Sequence, residues 1–206
     1  MDWRSQAWVE IPVPVAAVEW GWSECERIDR ITGGTWKSNN PGARWIGFVA
    51  ERFVYRWIQS NGGRVRWERD EPITKADLYL PDGRSVDVKA AIRDKFRPHY
   101  AVSMTKSTHL VPTEIVFCIF QPSRQSMTIV GGIAYRRLMS ECEQHEGGRA
   151  VNGGHLVNGT VPSSGVFSVN ASKTLLRIDA PKLDTPERWF ARVFEDEDAR
   201  GLARRR

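Results

Sequence analysis

Two aspartates and a lysine within residues 76–89 have types and a spacing suited to chemistry on phosphates. The segment reads Ala-Asp-Leu-Tyr-Leu-Pro-Asp-Gly-Arg-Ser-Val-Asp-Val-Lys. On both sides of the turn Pro81-Asp82-Gly83 the residues alternate between apolar and polar, which predicts the two strands of a hairpin. Because successive side chains of a strand point to opposite faces, Asp87 and Lys89 share one face, and the valines next to them face the core.

Asp77 adds a second carboxylate to this pair. On the first predicted strand it faces away from Leu78 and Leu80, so we expect it to lie beside Asp87 and Lys89 near the turn. Neighbouring carboxylates repel each other, and a hard divalent cation such as Mg2+ relieves that repulsion. A lysine beside the cation can orient or help deprotonate a metal-bound water, as phosphodiester hydrolysis requires. On these residues alone, a solvated Asp87–Lys89 ion pair on an edge strand remains an alternative.

A helix is predicted over residues 43–60. Turn residues at 39–42 precede it, and Asn61-Gly62-Gly63 is a strong signal for its end. Its period places one stripe of side chains on a common face. The members of that stripe are Gly47, Glu51, Val54 and Ile58.

Glu51 interrupts this otherwise apolar stripe. A carboxylate facing a core costs free energy unless a cation or hydrogen bonds compensate it, and a metal site on the adjoining sheet would do so. The alternative is a glutamate at the margin of the stripe that reaches solvent or pairs with Arg52 or Arg56. Combined with the two aspartates and the lysine, Glu51 favours a metal site.

In this order of elements the sequence resembles the PD-(D/E)XK nuclease superfamily. The shared pattern is a helix with an acidic residue, a strand with Asp, and a hairpin to a strand with (Asp/Glu)-x-Lys, here Asp87-Val88-Lys89. Residues 78–86 separate the two aspartates, a gap that suits a short hairpin. The residue before the first Asp is Ala76 and not Pro, which leaves the ligands intact. The resemblance covers roughly residues 43–138.

The resemblance implies an α/β fold with a restriction-endonuclease-like core, in which helices flank a mixed central sheet. Further strands are expected at 114–120 and 125–132, followed by a helix at 134–142. We divide the chain into a Trp-rich N-terminal extension (1–42), the nuclease core (43–146) and a C-terminal strand and helix extension with a basic tail (147–206). Short strands at 166–170 and 174–178 and a helix beginning at Thr185-Pro186-Glu187 are predicted in the last part.

For function, the resemblance implies a Mg2+-dependent nuclease that hydrolyses DNA, most simply an endonuclease of restriction, recombination, repair or phage DNA processing. Mn2+ is expected to substitute for Mg2+. Asp77 would be the central metal ligand, and Asp87 a second ligand assisted by the backbone carbonyl of Val88. Lys89 would position the water, and Glu51 would hold a metal-bound water or a second ion.

Two alternatives from other classes remain. One is a nucleic-acid-binding module that keeps the nuclease fold without cleavage. The other is an assembly protein that uses its Trp-rich N-terminal part as an interaction surface. The intact set of two aspartates and a lysine argues against both, because a protein without the activity has no need to keep carboxylates close together.

The charge of the chain favours a polyanionic partner. The formal net charge is +5 and the isoelectric point is near 9.3. A basic segment follows the motif and is interleaved with aromatic residues and a histidine. Its candidate phosphate-contacting residues are Arg93, Lys95, Arg97 and Lys106. We predict that these residues contact DNA phosphates, with an ordinary solvated loop as the alternative.

The cysteines and the hydropathy pattern bear on compartment. Cys25, Cys118 and Cys142 form no CxxC pair and are odd in number, which predicts a reduced, cytoplasmic protein. Cys142 with His145 and His155 lacks a fourth ligand for a zinc site. No run reaches the ~18 apolar residues of a membrane helix, and the first residues lack a signal-peptide layout, so we expect no membrane partner.

Eight of the nine tryptophans lie between Trp3 and Trp67. Large aromatic side chains dominate both protein cores and protein interfaces, so this part is expected to pack over the core or to form a homodimer surface. Base stacking is the functional alternative. It is less favoured because basic and aromatic residues do not alternate there.

Overall fold

A computed structural model describes residues 8–33, 44–69, 76–96, 99–105, 112–146 and 173–195 of the chain. The described strands are β1 (Val9–Pro12), β2 (Arg66–Trp67), β3 (Leu78–Tyr79), β4 (Ser85–Ile92), β5 (His99–Thr105), β6 (Glu114–Gln121), β7 (Ser126–Ala134), β8 (Glu143–Glu146) and β9 (Lys173–Asp179). The described helices are α1 (Val15–Ile31), α2 (Arg44–Ser60), α3 (Tyr135–Glu141) and α4 (Pro186–Phe190), the last continued by a π-helical turn over Ala191–Glu195.

Six of these strands form a mixed sheet in the order β1-β7-β6-β4-β3-β2. β4 and β6 are parallel, and the other neighbours in this sheet are antiparallel. A smaller antiparallel sheet has the order β5-β9-β8. The expectation of an α/β fold with a mixed sheet and flanking helices is confirmed at this level, and the strands and helix expected between residues 114 and 142 are β6, β7 and α3.

The central strand β6 is buried along its whole length because both faces of the sheet are covered. On one face, Val116 and Cys118 belong to a core shared with α2 and the segment that begins at α4. On the other face, Ile115 and Phe117 pack in a second core that includes Leu138 of α3. The alternation of the strand therefore divides one continuous apolar run between two cores.

Helix α2 begins and ends within a residue of the predicted bounds. Its buried residues recur at the helical period and are Trp45, Ile46, Val49, Ala50, Val54 and Ile58. The predicted stripe was only half right, because Val54 and Ile58 are buried whereas Gly47 and Glu51 are half-buried at its edge. Glu51 thus lies at the margin of the apolar face, close enough to solvent and to the sheet for polar contacts.

The predicted hairpin is confirmed in β3 and β4. Gly83 has a φ of 86°, a left-handed conformation that glycine adopts without steric cost. Across the turn, the Leu80 N–H donates to the Arg84 carbonyl at 2.8 Å. Leu78 and Val86 face each other and are fully buried. The packing of these apolar side chains sets the register that places the polar residues of β4 on the other face.

The N-terminal segment contributes directly to the main sheet and to its larger core. β1 pairs with β7, as in the register Val9 to Ile129. α1 packs closely on α2, since a Cβ built on Gly21 would lie 2.9 Å from the carbonyl oxygen of Trp45. A boundary at residue 42 therefore separates elements that pack together. Trp3 and Trp36 lie outside the described residues.

The C-terminal segment packs on the same sheet. β9 contains the predicted strand at 174–178, and the predicted helix begins as expected, with Thr185 capping the Arg188 N–H. Trp189 is fully buried against Gly132 of β7. The predicted strand at 166–170 and the basic tail lie outside the described residues.

Candidate active site

The candidate site lies along the edge of β4 where its pairing with β3 stops. β3 pairs with β4 only at Tyr79 to Ser85 and Leu78 to Val86. Beyond this point the N–H of Val88 donates to Oδ2 of Asp77 at 2.6 Å. The N–H and C=O of one residue in an extended strand point to the same side, so the Val88 carbonyl is directed toward the side on which Asp77 lies.

Asp87 and Lys89 form an ion pair on one face of β4. Nζ of Lys89 lies 2.7 Å from Oδ2 of Asp87. The side chains are 32% and 15% exposed for Lys89 and Asp87 respectively, so the pair is partly shielded from water. The sequence prediction that these residues share a face is confirmed, and the alternative of a freely solvated pair does not fit this burial.

The same side chains influence one another electrostatically. Burial raises the pKa of Asp77 well above its ordinary value, and the nearby carboxylates of Glu51 and Asp87 raise it further. Burial by itself would lower the pKa of Lys89, but the three surrounding carboxylates raise it above its ordinary value overall. The structure therefore brings all four predicted side chains within electrostatic reach, with Lys89 held as an ammonium ion.

Glu51 reaches this group from α2. Its Oε2 accepts a hydrogen bond from the indole N–H of Trp67 at 3.2 Å. Burial raises the pKa of Glu51 from 4.5 to about 7, with a further contribution from the negative charge of Asp87. Trp67 and Lys89 oppose that shift by stabilising the ionised form. The glutamate is thus poised to exchange a proton near neutral pH.

The donors of this group suit a hard cation chemically. Three mutually repelling carboxylates and one backbone carbonyl are oxygen ligands of the kind that Mg2+ accepts. Across the described part of the chain, however, no three His, Cys, Asp or Glu side chains are grouped closely enough to hold a metal ion. Lys89 contacts Oδ2 of Asp87, and Trp67 donates to Oε2 of Glu51, so a cation would bind at the second oxygen of each carboxylate or displace these donors.

The predicted phosphate contacts are described only in part. Arg93 follows β4, is half-buried, and donates its backbone N–H to the Phe120 carbonyl at 2.9 Å. Lys95 is exposed. Arg97 and Lys106 lie outside the described residues.

Sequence reasoning missed the polar and aromatic surroundings of Glu51. In the sequence, Trp67 is only one of nine tryptophans. Glu24 of α1 is 5% exposed and accepts from Nε of Arg27 at 2.9 Å and from a terminal nitrogen of Arg69 at 2.7 Å. Its negative charge also adds to the raised pKa of Glu51. No local motif marks these residues, because they meet only when α1, α2 and β2 pack together.

Comparison of this chain with models of protein families, with curated proteins and with solved structures found no match. None of the helices in the described ranges combines the length and apolar character that a membrane crossing needs.

Proposed function

We propose that the protein is a divalent-metal-dependent nuclease that hydrolyses phosphodiester bonds of DNA. The observation that carries the proposal is the convergence of Asp77, Asp87, Lys89 and Glu51 along the edge of β4 beyond its pairing with β3. Their order along a helix and a hairpin resembles the PD-(D/E)XK pattern, and this resemblance suggests the substrate class.

Burial of these charges supports a functional role over a purely structural one. Partly buried carboxylates placed next to one another cost stability, and such arrangements cluster at functional sites. A structural ion pair would need only Asp87 and Lys89. The additional carboxylates of Asp77 and Glu51 stabilise the Lys89 ammonium, but they also repel Asp87 and each other.

In the proposed mechanism, Asp77, Asp87 and the Val88 carbonyl would hold Mg2+. When bound, the ion would supply Lewis acidity to the phosphate and to the attacking water. The ammonium of Lys89 donates a hydrogen bond that orients the water and offsets negative charge at the phosphate. Because Trp67 occupies Oε2 of Glu51, the other carboxylate oxygen, Oε1, remains to accept a proton from the water.

The proposal is tested with Asp77→Asn and Asp87→Asn, which keep side-chain volume but remove the charge. Linear duplex, supercoiled plasmid, single strands and a four-way junction are incubated with Mg2+ or EDTA. We expect both variants to lose cleavage while binding DNA in EDTA nearly as wild type does, because the substitutions remove metal ligands and leave the basic residues unchanged. Glu26→Gln, at an exposed position of α1, is the control for loss of one carboxylate. Wild-type cleavage by either aspartate variant would remove that residue from the mechanism.

A DNA-binding module without cleavage is the second candidate. The observation that favours it is that no three His, Cys, Asp or Glu side chains in the described part of the chain lie close enough together to hold a metal ion. In that case the wild-type protein would bind the same substrates and cleave none of them with Mg2+ or Mn2+.

A further inference from the structure

A cluster of arginines lies beside the candidate active site, on α2 and at the end of β2. Arg52 and Arg56 are one helical turn apart, and Arg69 follows Trp67. We call Arg52, Arg56 and Arg69 the arginine cluster. Arg69 lies over the ring of Trp67, and the indole of Trp67 donates to Glu51, so the cluster adjoins the acidic residues.

Aromatic rings support these guanidinium groups. Cζ of Arg52 lies 4.5 Å from the ring centroid of Trp20. Cζ of Arg69 lies 5.7 Å from the Trp20 ring and 5.2 Å from the Trp67 ring. The two indoles are in turn 5.8 Å apart. A guanidinium held against a ring face keeps its N–H donors at its edge, where they can bind an anion.

The cluster has little negative charge to balance it. Among the described residues, neither Arg52 nor Arg56 forms an ion pair, and Arg56 is exposed. Arg69 pairs with Glu24, but Arg27 binds the same carboxylate. Burial lowers the pKa of Arg52, and repulsion by the like charges of Arg56 and Arg69 lowers it further, against the opposing effect of the Glu24 carboxylate. An anion bound between them would relieve this repulsion.

We propose that Arg52, Arg56 and Arg69 bind the phosphodiester backbone of a nucleic acid strand and hold it against the acidic residues of β4. The inference rests on the proposed function for the identity of the anion. Planar guanidinium groups with fixed edges suit bidentate binding of phosphate oxygens. Phosphate contacts fix the position of a strand without reading its sequence. The cluster therefore acts as a positioning surface, separate from the segment after β4.

The test measures binding and not cleavage. The full-length protein is titrated into a fluorescently labelled DNA duplex, and into one of its single strands, in EDTA over a series of salt concentrations. We expect the double variant Arg52→Gln, Arg56→Gln to bind at least about tenfold more weakly, with the salt slope for duplex reduced by about 0.9 for each phosphate that the variant no longer binds. Arg52→Lys, Arg56→Lys should recover only part of the affinity, because an ammonium lacks the planar fork.

The control is the double variant Arg30→Gln, Arg188→Gln, which removes the same charge from exposed positions on α1 and α4. Arg30 is ten residues from Trp20, about 15 Å along the helix. If the cluster variant and this control bind DNA equally well with equal salt slopes, the arginine cluster is not a phosphate surface. Circular dichroism verifies that each variant is folded, and the lysine variant keeps the test valid if the glutamine variant unfolds.

The outcomes separate this inference from the proposed nuclease. If the wild-type protein cleaves DNA and the cluster variant binds DNA as well as wild type does, the inference about the cluster is wrong and the proposed nuclease stands. Cluster-dependent DNA binding without any cleavage in Mg2+ or Mn2+ supports the inference and overturns the nuclease. Cluster-dependent binding to vesicles of anionic phospholipid, with none to DNA, overturns the assignment of the cluster to nucleic acid.

Discussion

Substitution of Lys89 distinguishes a nuclease site from an ion pair without catalytic function. Lys89 lies 2.7 Å from Asp87 and within the electrostatic influence of Asp77 and Glu51, which together raise its pKa. As an ammonium ion it is a donor and a positive charge, so its contribution to hydrolysis would be made in the transition state.

Replacing Lys89 should therefore lower turnover more than affinity. We expect Lys89→Ala to reduce single-turnover cleavage by about 100-fold or more while DNA binding changes little. Lys89→Arg should recover little activity because the planar guanidinium mismatches a site shaped for a compact donor. Near-wild-type rates for both variants would remove Lys89 from the mechanism.

The raised pKa of Glu51 predicts how stability depends on pH without metal. The folded pKa is about 7, above the ordinary 4.5. Between these values the unfolded chain releases a proton that the folded protein keeps, so stability falls as pH rises, by at most about 1.4 kcal/mol per pH unit from this residue. Below a pH of about 4.5 both the folded and the unfolded chain keep the proton, so Glu51 adds no pH dependence. Above about 7 both release it, and the stability already lost stays constant.

Chemical denaturation in EDTA at several pH values measures this effect. Glu51→Gln should lose its part of the pH dependence while its amide oxygen still accepts from Trp67. Glu26→Gln serves as the exposed control. If the free energy of unfolding changes equally with pH in wild type and Glu51→Gln, then Glu51 has the same pKa in the folded and unfolded chains.

At the level of elements, the docking of α4 on β7 depends on a glycine. A Cβ built on Gly132 would lie 2.3 Å from Cδ1 of Trp189, whose ring is fully buried. The same region holds Glu114, 2% exposed, which accepts two hydrogen bonds from Arg192 at 2.8 and 2.9 Å and one from the Trp189 indole at 3.1 Å. The ring therefore has a polar anchor on one side and no free space on the other.

We expect Gly132→Ala to destabilise the protein by about 1–3 kcal/mol or more, because a rigid buried ring cannot move aside cheaply. Gly47→Ala is the matched control. A Cβ there meets nothing within 4 Å, so the variant should be neutral or more stable by about 0.5–1 kcal/mol through better helix propensity. Equal denaturation midpoints for both variants would contradict the tight contact between Gly132 and Trp189.

At the level of the whole molecule, the three parts distinguished in the sequence share one core. Residues from the N-terminal segment, α2, the sheet and the C-terminal segment form a single buried cluster. Val13 and Cys25 represent the first part, and Trp189 and Phe194 the last. This packing predicts one cooperative unfolding transition for the described chain.

Truncation tests this prediction. A protein ending at Lys182 loses the buried side chains of Trp189, Val193 and Phe194. Loss of each aromatic ring alone lowers the free energy of unfolding by about 3–5 kcal/mol. The truncation also leaves the buried Glu114 carboxylate without Arg192. We expect this protein to lose cooperative unfolding, since the loss approaches the about 5–15 kcal/mol of a whole domain. A protein ending at Glu195 keeps all of the described packing and should unfold like the full chain.

Local patterns in the sequence were sufficient to predict several elements and part of the site. The period of α2, the β3–β4 hairpin with its Gly83 turn, and the shared face of Asp87 and Lys89 all follow from backbone geometry over a few residues. The start of α4 follows from Thr185 and Pro186 in the same way. These features depend on neighbours in sequence, which is why the chain alone determined them.

Tertiary structure decided which distant segments meet. The pairing of β1 with β7, the contact of Trp67 with Glu51 and the approach of Arg69 to Glu24 join residues far apart in sequence. Such contacts depend on the summed burial of many side chains set against the entropy of closing long loops, and no single motif encodes that sum. The acidic residues of the candidate site could thus be predicted from the sequence, whereas the arginines and indoles next to them were identified only in the folded protein.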